Sequence, residues 1–363
     1  MFFTASNLVH YLLARALVAV ADVVDGHFMT LEAGRRNRNF KVILGPGMGL
    51  FVKQIKVLEE QSMVTMRRET ECYQFARDYP DWAGLMPRMI DHDPLRHSLI
   101  VELIPAAKNL SEFHSRHGEY SVEAARLAGK ALALYHRAVP HESLPPGQMG
   151  LFRKQVPWIF ALREVPAKAS GGLVELIACL QAHPQQLANM ARLGQAWRFD
   201  GIIHGDMKWD NCLVFADGND VLQLRIIDWE VVDIGDAAWD LAGLMQSYLG
   251  RWIYSVELAQ ATSLQQFLDH ASIRIETMFA AIHALWQGYL DASLIARPDA
   301  YAFLLRCMEY AAARLVLTAF ENVCYAPTMN EYAKKLLFLS QQIFHDPQEA
   351  ASKLFGLTEK VVQ

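Results

Sequence analysis

A chain of 363 residues with 52% apolar content is long enough to bury sizeable cores and points to roughly two domains. Its formal charge of -5 gives no basis for broad nucleic-acid binding, and its five cysteines, odd in number and without a C-x-x-C pair, read as reduced thiols of a cytoplasmic protein. The apolar run over residues 8–24 is interrupted by Arg15 and Asp22 and has only His10 as a basic residue near its start, which excludes a good secretory signal or a membrane span. An amphipathic helix over residues 7–17 is expected instead.

Residues 27–31, 39–44 and 50–55 read as a three-stranded meander. Strand alternation places Phe51, Lys53 and Ile55 on one face and Lys56 on the other. Ser62 is a candidate cap for a helix over 63–77. At about 100° per residue, Met63, Met66, Thr70, Tyr73 and Ala76 share an arc that includes Glu69, whereas Glu71 falls opposite with Val64, Arg67, Arg68 and Phe75. An acid on a packed face needs a buried partner, and Lys53 is the natural one for Glu69. Residues 97–103 form a further strand that ends at Ile104-Pro105, because proline cannot continue a ladder. Helices over 109–117 and 121–139 follow. Residues 140–198 are then broken by Pro157, Pro166, Gly171-Gly172 and Pro184, with Trp158 and Trp197 read as core.

The segment Ile203-His204-Gly205-Asp206-Met207-Lys208-Trp209-Asp210-Asn211 lies between two short strands, and Asp228 ends the strand that returns from the Asp217-Gly218-Asn219-Asp220 turn. This spacing gathers the polar set that phosphoryl transfer from ATP needs: one aspartate for the proton of the attacking hydroxyl, and an asparagine and a second aspartate for magnesium. Asp206 takes the first role, Asn211 and Asp228 the second. Beyond residue 235 the chain is almost entirely helical. Phe279, Ile282, Trp286 and Tyr289, and then Leu304, Met308, Ala312, Leu315 and Ala319, repeat at the spacing of a bundle core. Asp291, Asp299, Glu309 and Glu321 are acids that could face a cleft.

The H-G-D-x-x-x-x-N core, the Asp228-Trp229 pair and Gly235-Asp236-Ala237-Ala238-Trp239-Asp240-Leu241-Ala242 together resemble the aminoglycoside phosphotransferase and choline kinase-like family, relatives of the protein kinases. Ala237 stands where that family usually has proline, and Lys208 where its antibiotic-modifying members commonly have histidine. The resemblance implies an α+β, protein-kinase-like two-lobed fold. Residues 1–103 would form a small antiparallel-sheet lobe for the nucleotide, and 104–363 a large, mainly helical lobe with 140–198 as a substrate-recognition insert. It further implies that Lys53, with Lys56 as the alternative, holds the α- and β-phosphates and that Glu69 orients it. The backbone of Glu102 and Ile104 would read adenine, and Lys208 would reach the γ-phosphate. Asp236 would cap a helix, and Asp240 would brace the loop. His136 resembles a family histidine and reads as structural, because cations are favoured at a helix end. The Ala33-Gly34-Arg35-Arg36-Asn37-Arg38 turn lacks G-x-G-x-x-G and offers guanidinium groups in its place.

These expectations describe an ATP- and Mg2+-dependent kinase acting on a hydroxyl of a small molecule such as an aminoglycoside, amino alcohol or sugar. A kinase for serine or threonine of a natural-product precursor peptide, working ahead of a partner lyase, is the alternative. A nucleotide-binding scaffold without transfer is the second. Neither nucleic acid nor membrane is an expected partner.

Overall fold

The computed structural model describes residues 2–34, 37–45, 47–117, 119–143, 151–257 and 263–362. Arg35 and Arg36 of the arginine-rich turn, Pro46 and part of the 140–198 insert lie outside the described residues. The chain divides into two compact units, Met1–Phe113 with Asp210–Val232, and His114–Trp209 with Asp233–Gln363.

The first unit is built on an antiparallel sheet of β1 (Phe28–Glu32), β2 (Arg38–Leu44), β3 (Gly49–Gln54), β4 (Met89–Asp93) and β5 (Ser98–Glu102), in the order β1-β2-β3-β5-β4. One face buries Phe40, Val42, Leu50, Val52 and Ile100 against Phe3, Leu8, Leu12 and Val18. Leu8 and Leu12 reach it from the helix Ala5–Ala14, each contributing about 1.5–3 kcal/mol by leaving water. That helix starts earlier than residue 7 because Thr4 and Asn7 cap it reciprocally. Since Val52 points into this core, alternation turns Lys53 to the opposite face.

The helix Glu60–Ala76 follows, with Glu59 at its cap position. Ser62 is therefore not its cap: Glu60 and Gln61 carry the helix almost a turn further back, where an acid suits the positive helix end. Arg68 is buried as well as Glu69, and donates to the Val232 carbonyl at 2.5 Å, so the buried arc is wider than the apolar spacing predicts. A second, three-stranded sheet orders β6 (Lys108–Asn109), β8 (Cys212–Ala216) and β9 (Leu222–Ile226) as β6-β8-β9. Asp217 shapes the β8–β9 turn by accepting from the Asn219 and Val221 amides.

The second unit is mainly helical among the described residues, with a short ladder of β7 (Gly201–Ile203) against β10 (Asp233–Gly235). Its centre is formed by the helices Ala237–Trp252 and Ala300–Val323, on which Leu304, Met308, Ala312, Leu315 and Ala319 are all buried. The helices Val122–Ala138 and Phe279–Ala292 cross unusually closely. A Cβ on Gly129 would lie 2.0 Å from the Leu285 carbonyl oxygen, and one on Gly288 would lie 2.3 Å from that of Arg126, so only glycine allows this approach. Among the described residues no helix is long and apolar enough to cross a membrane.

Candidate active site

In the first unit Lys53 is the centre of an ion cluster. Its Nζ donates to Glu69 Oε2 and to Asp228 Oδ1, both at 2.6 Å, with Glu230 Oε2 at 3.8 Å. Three elements supply these groups: β3, the helix Glu60–Ala76 and the segment just after β9. Burial alone would lower the Lys53 ammonium, but Glu69, Asp228 and Glu230 outweigh it and hold its pKa well above the ordinary lysine value. Burial pushes the Glu69 carboxyl up to about 7 against the pull of Lys53. Acidic oxygens of Glu69, Asp228 and Glu230 fall within 4.8 Å of one another, and three carboxylates against one ammonium leave net negative charge.

Asp228 adopts a left-handed backbone with φ 70° and ψ 49°, a conformation aspartate tolerates better than most side chains. Its neighbours fix it there. The Ile227 amide donates to the Asn211 carbonyl at 3.0 Å, and Trp229 is fully buried against Trp82 with its indole N–H on the Ile226 carbonyl. Asn211 is itself buried at the start of β8. Glu102 ends β5, and Ile104 lies two residues beyond it. The Leu103 amide closes the ladder on the Gly49 carbonyl at 3.0 Å, the Glu102 carboxylate takes the Arg88 amide at 2.9 Å, and Ala106 turns the chain with φ 57°.

In the second unit the loop after β7 is tied down from below by Asp240, which is fully buried on the helix Ala237–Trp252. Asp240 Oδ2 accepts from the His204 amide at 2.6 Å and the Tyr135 hydroxyl at 2.6 Å, with His136 Nε2 at 3.3 Å, and Oδ1 accepts from the Gly205 amide at 3.0 Å. Burial alone would raise this carboxyl, but His136, His204 and Tyr135 outweigh it and hold its pKa below the usual aspartate value. Gly205 has φ 83°, a conformation that favours glycine and bends the chain so that Asp206 follows. Asp236 caps the same helix through the Ala238 amide at 3.1 Å and also accepts from the Tyr310 hydroxyl.

Asp206 is partly exposed, and Lys208 Nζ donates to its Oδ2 at 2.7 Å. Burial would lower the Lys208 ammonium, but Asp206 beside it prevails and raises it. From the helix Ala300–Val323, the buried Arg314 donates to the Met207 carbonyl at 2.7 Å and comes within 4.0 Å of Asp206 Oδ1. Two turns further along, Glu321 feels Asp206 as a like charge and Lys208 and Arg314 as opposite ones. Of the other cleft acids expected from sequence, Asp291 pairs with Arg297 and Glu309 with Arg192.

With this geometry established, the model of a phosphotransferase enzyme family matches residues 27–274, two thirds of the chain. The chain belongs to that family. It is therefore a phosphotransferase with a hydroxyl acceptor, built on the α+β, protein-kinase-like fold. Solved structures similar to this family member include an ethanolamine kinase from Plasmodium vivax, with TM-score 0.60 and 13% identity over 95% of this chain and 91% of that one. A choline/ethanolamine kinase family protein from Mesorhizobium loti gives TM-score 0.50 and 17% identity over 96% and 98%. LicA, the choline kinase of Streptococcus pneumoniae, in complex with AMP gives 0.50 and 12% over 94% and 99%. No curated protein matches the chain.

The structure brings Lys53, Glu69 and Asp228 together in one unit and Asp206 and Lys208 in the other, while Lys56 is exposed. Glu230 and Arg314 were not singled out from sequence. Glu230 had a local signal, since a second acid two residues after Asp228 returns to the same side of a tight turn. Arg314 had none, because its neighbours are set by the packing of a helix more than a hundred residues downstream. Trp197 is buried, but Trp158 is 53% exposed and not core. In the turn after Pro157 the inward positions go to Ile159 and Phe160, and Trp158 rests edge-on against Phe320 instead.

Proposed function

We propose that the protein transfers the γ-phosphate of ATP to a hydroxyl of a small molecule, with residues 1–103 as the nucleotide-binding portion and 104–363 as the portion that carries the catalytic loop. The observation that carries this reading is the Lys53–Glu69–Asp228 cluster, a cation fixed by two acids from separate elements. Lys53 binds the α- and β-phosphates, Glu69 orients it, and the backbone at Glu102 and Ile104 reads adenine. Asn211 and Asp228 fit magnesium. Their donors are oxygens, as that ion requires, and the net negative charge around Lys53 suits a divalent cation. When bound, the metal neutralises charge on the phosphates.

Asp206 orients the acceptor hydroxyl and takes its proton as the new oxygen–phosphorus bond forms and the β–γ bridge breaks, with ADP leaving. Lys208, now bonded to Asp206, turns to the transferring group. Most of the acceleration comes from positioning and electrostatics, with proton removal contributing about 10²–10⁴-fold. The carboxylate of Glu321 near Asp206 and Lys208 favours a cationic acceptor, an amino alcohol or aminoglycoside, and the names of the ethanolamine and choline kinases above agree with that class.

The test is labelled-phosphate transfer from Mg-ATP to a panel of amino alcohols, aminoglycosides, sugars and serine/threonine peptides, with EDTA and Asp206→Asn as controls. Label on a cationic small molecule, abolished by EDTA and slowed about 10²–10⁴-fold by Asp206→Asn, is expected. Label on peptide alone, or an Asp206→Asn protein at the parent rate, would overturn the corresponding part of the reading.

A further inference from the structure

Arg314 is a buried arginine whose ion pair among the described residues, with Asp206 at 4.0 Å, is a long one. It is 4% exposed, and its guanidinium donates to the Met207 carbonyl at 2.7 Å. Its Nε and Nη1 find no hydrogen-bond partner among the described residues. The guanidinium instead lies over the Trp239 ring, 4.8 Å from the centroid, and Trp239 donates its indole N–H to the Gly205 carbonyl at 2.9 Å. Room for this stack exists because position 243 is glycine: a Cβ there would lie 2.9 Å from the guanidinium and 2.2 Å from the Met207 carbonyl oxygen. Arg314, Trp239 and Gly243 thus grip the loop through the carbonyls on both sides of Asp206.

A buried charge needs a counter-charge, and Asp206 Oδ1 at 4.0 Å is the carboxylate oxygen within ion-pair range. Two cations therefore serve one aspartate, and they differ in kind. Lys208 is half-exposed on a flexible stem, whereas the Arg314 guanidinium is held by a ring face and a carbonyl and cannot lose its proton at any working pH. Charged or titratable groups around Asp206 also include Glu321 on the same helix as Arg314, and His204 and Asp240 beneath the loop.

We propose that Arg314 is a positioning residue for Asp206: it fixes the adjoining carbonyl and remains as the stationary counter-charge when Lys208 turns to the transferring phosphate. This rests on Asp206 as the acceptor-side base. The test measures release of labelled phosphate from Mg-ATP to water, and to any acceptor found in the panel, for Arg314→Met, Arg314→Lys, Asp206→Asn and the two double variants. ATP binding is followed alongside by thermal shift. Arg314→Met is expected to lower kcat about 100-fold with KM for ATP within about threefold, and Arg314→Lys to recover about tenfold of that loss. In the Asp206→Asn background the same changes at 314 should cost less than about threefold, because a group acting through Asp206 has nothing left to act on.

Equal losses at 314 in both backgrounds, or a kcat for Arg314→Met within about threefold of the parent, would overturn the inference. If Arg314→Met fails to fold, the Arg314→Lys cycle decides by the same criterion. An Asp206→Asn protein at the parent rate instead removes the reading of Asp206 on which the inference stands, so the two failures are distinguishable.

Discussion

Asp240→Asn removes the anchor beneath the loop that carries Asp206 while nearly preserving volume. Asp240 now faces four donors, the His204 and Gly205 amides, the Tyr135 hydroxyl and His136 Nε2. A carboxamide has one acceptor oxygen, and its best orientation keeps the three donors on Oδ2 and sets its NH2 against the Gly205 amide. One orphaned buried N–H costs about 1–3 kcal/mol, and loss of charge assistance weakens each of the other three bonds by roughly 1 kcal/mol, giving about 4–6 kcal/mol in all. Urea unfolding at pH 7 reads this directly as a lower midpoint at unchanged slope. The folded fraction should also lose most phosphate transfer, because His204 and Gly205 set the position of Asp206. A midpoint corresponding to less than about 1 kcal/mol of change would refute the reasoning, since the four donors would then be shown to need no anion.

The same carboxylate sets a pH dependence. Its folded pKa lies below the unfolded value of about 3.9, so its contribution is complete above that value and is lost as pH falls through the lower folded one. Thermal unfolding from pH 2 to 6 should show the gap between parent and Asp240→Asn narrowing below about pH 4. A gap of constant size would contradict the ion's role. Gly129→Ala forces the Val122–Ala138 and Phe279–Ala292 helices apart, because its Cβ would meet Leu285 backbone at 2.0 Å, and should cost about 1–3 kcal/mol or more in a melting experiment. Glu69→Gln keeps a partner for Lys53 but no charge, and should lower kcat/KM for ATP by about 10–100-fold with the fold intact by circular dichroism. Lys53→Met should lose ATP binding measured by calorimetry, and binding at parental affinity would exclude Lys53 as the phosphate ligand.

The segment proposed to carry the base stood out in the chain because its polar residues are close in sequence: nine residues carry Asp206, Lys208 and Asn211, and one hairpin brings Asp228 back. The choice of Glu69 over Glu71 needed only the angle per residue of a helix, since its arc is otherwise Met63, Met66, Thr70, Tyr73 and Ala76. Local signals failed where several were available. Ser62 is a good cap in isolation, yet Glu60 and Gln61 extend the helix past it. Trp158 has the composition of a core residue, but the turn after Pro157 points its two successors inward. Arg314 could not be found by pattern at all, and Glu321 stood among four candidate acids with nothing to select it, because the helix Ala300–Val323 is apolar on nearly every side and only its packing on the Ala237–Trp252 helix shows which polar groups meet the loop.

The Trp82–Trp229 contact gives this protein a built-in optical probe. The two indoles sit 5.5 Å apart at 59°, both fully shielded from solvent, an arrangement that couples their electronic transitions and gives near-ultraviolet circular dichroism. Trp229 follows Asp228 directly in the chain, so a backbone change at that aspartate is expected to alter the angle between the two chromophores. Nucleotide and metal titrations can therefore be followed by spectroscopy on the unlabelled chain, with the difference from Trp82→Phe separating this pair from the Trp197–Trp239 pair, whose rings lie 5.8 Å apart.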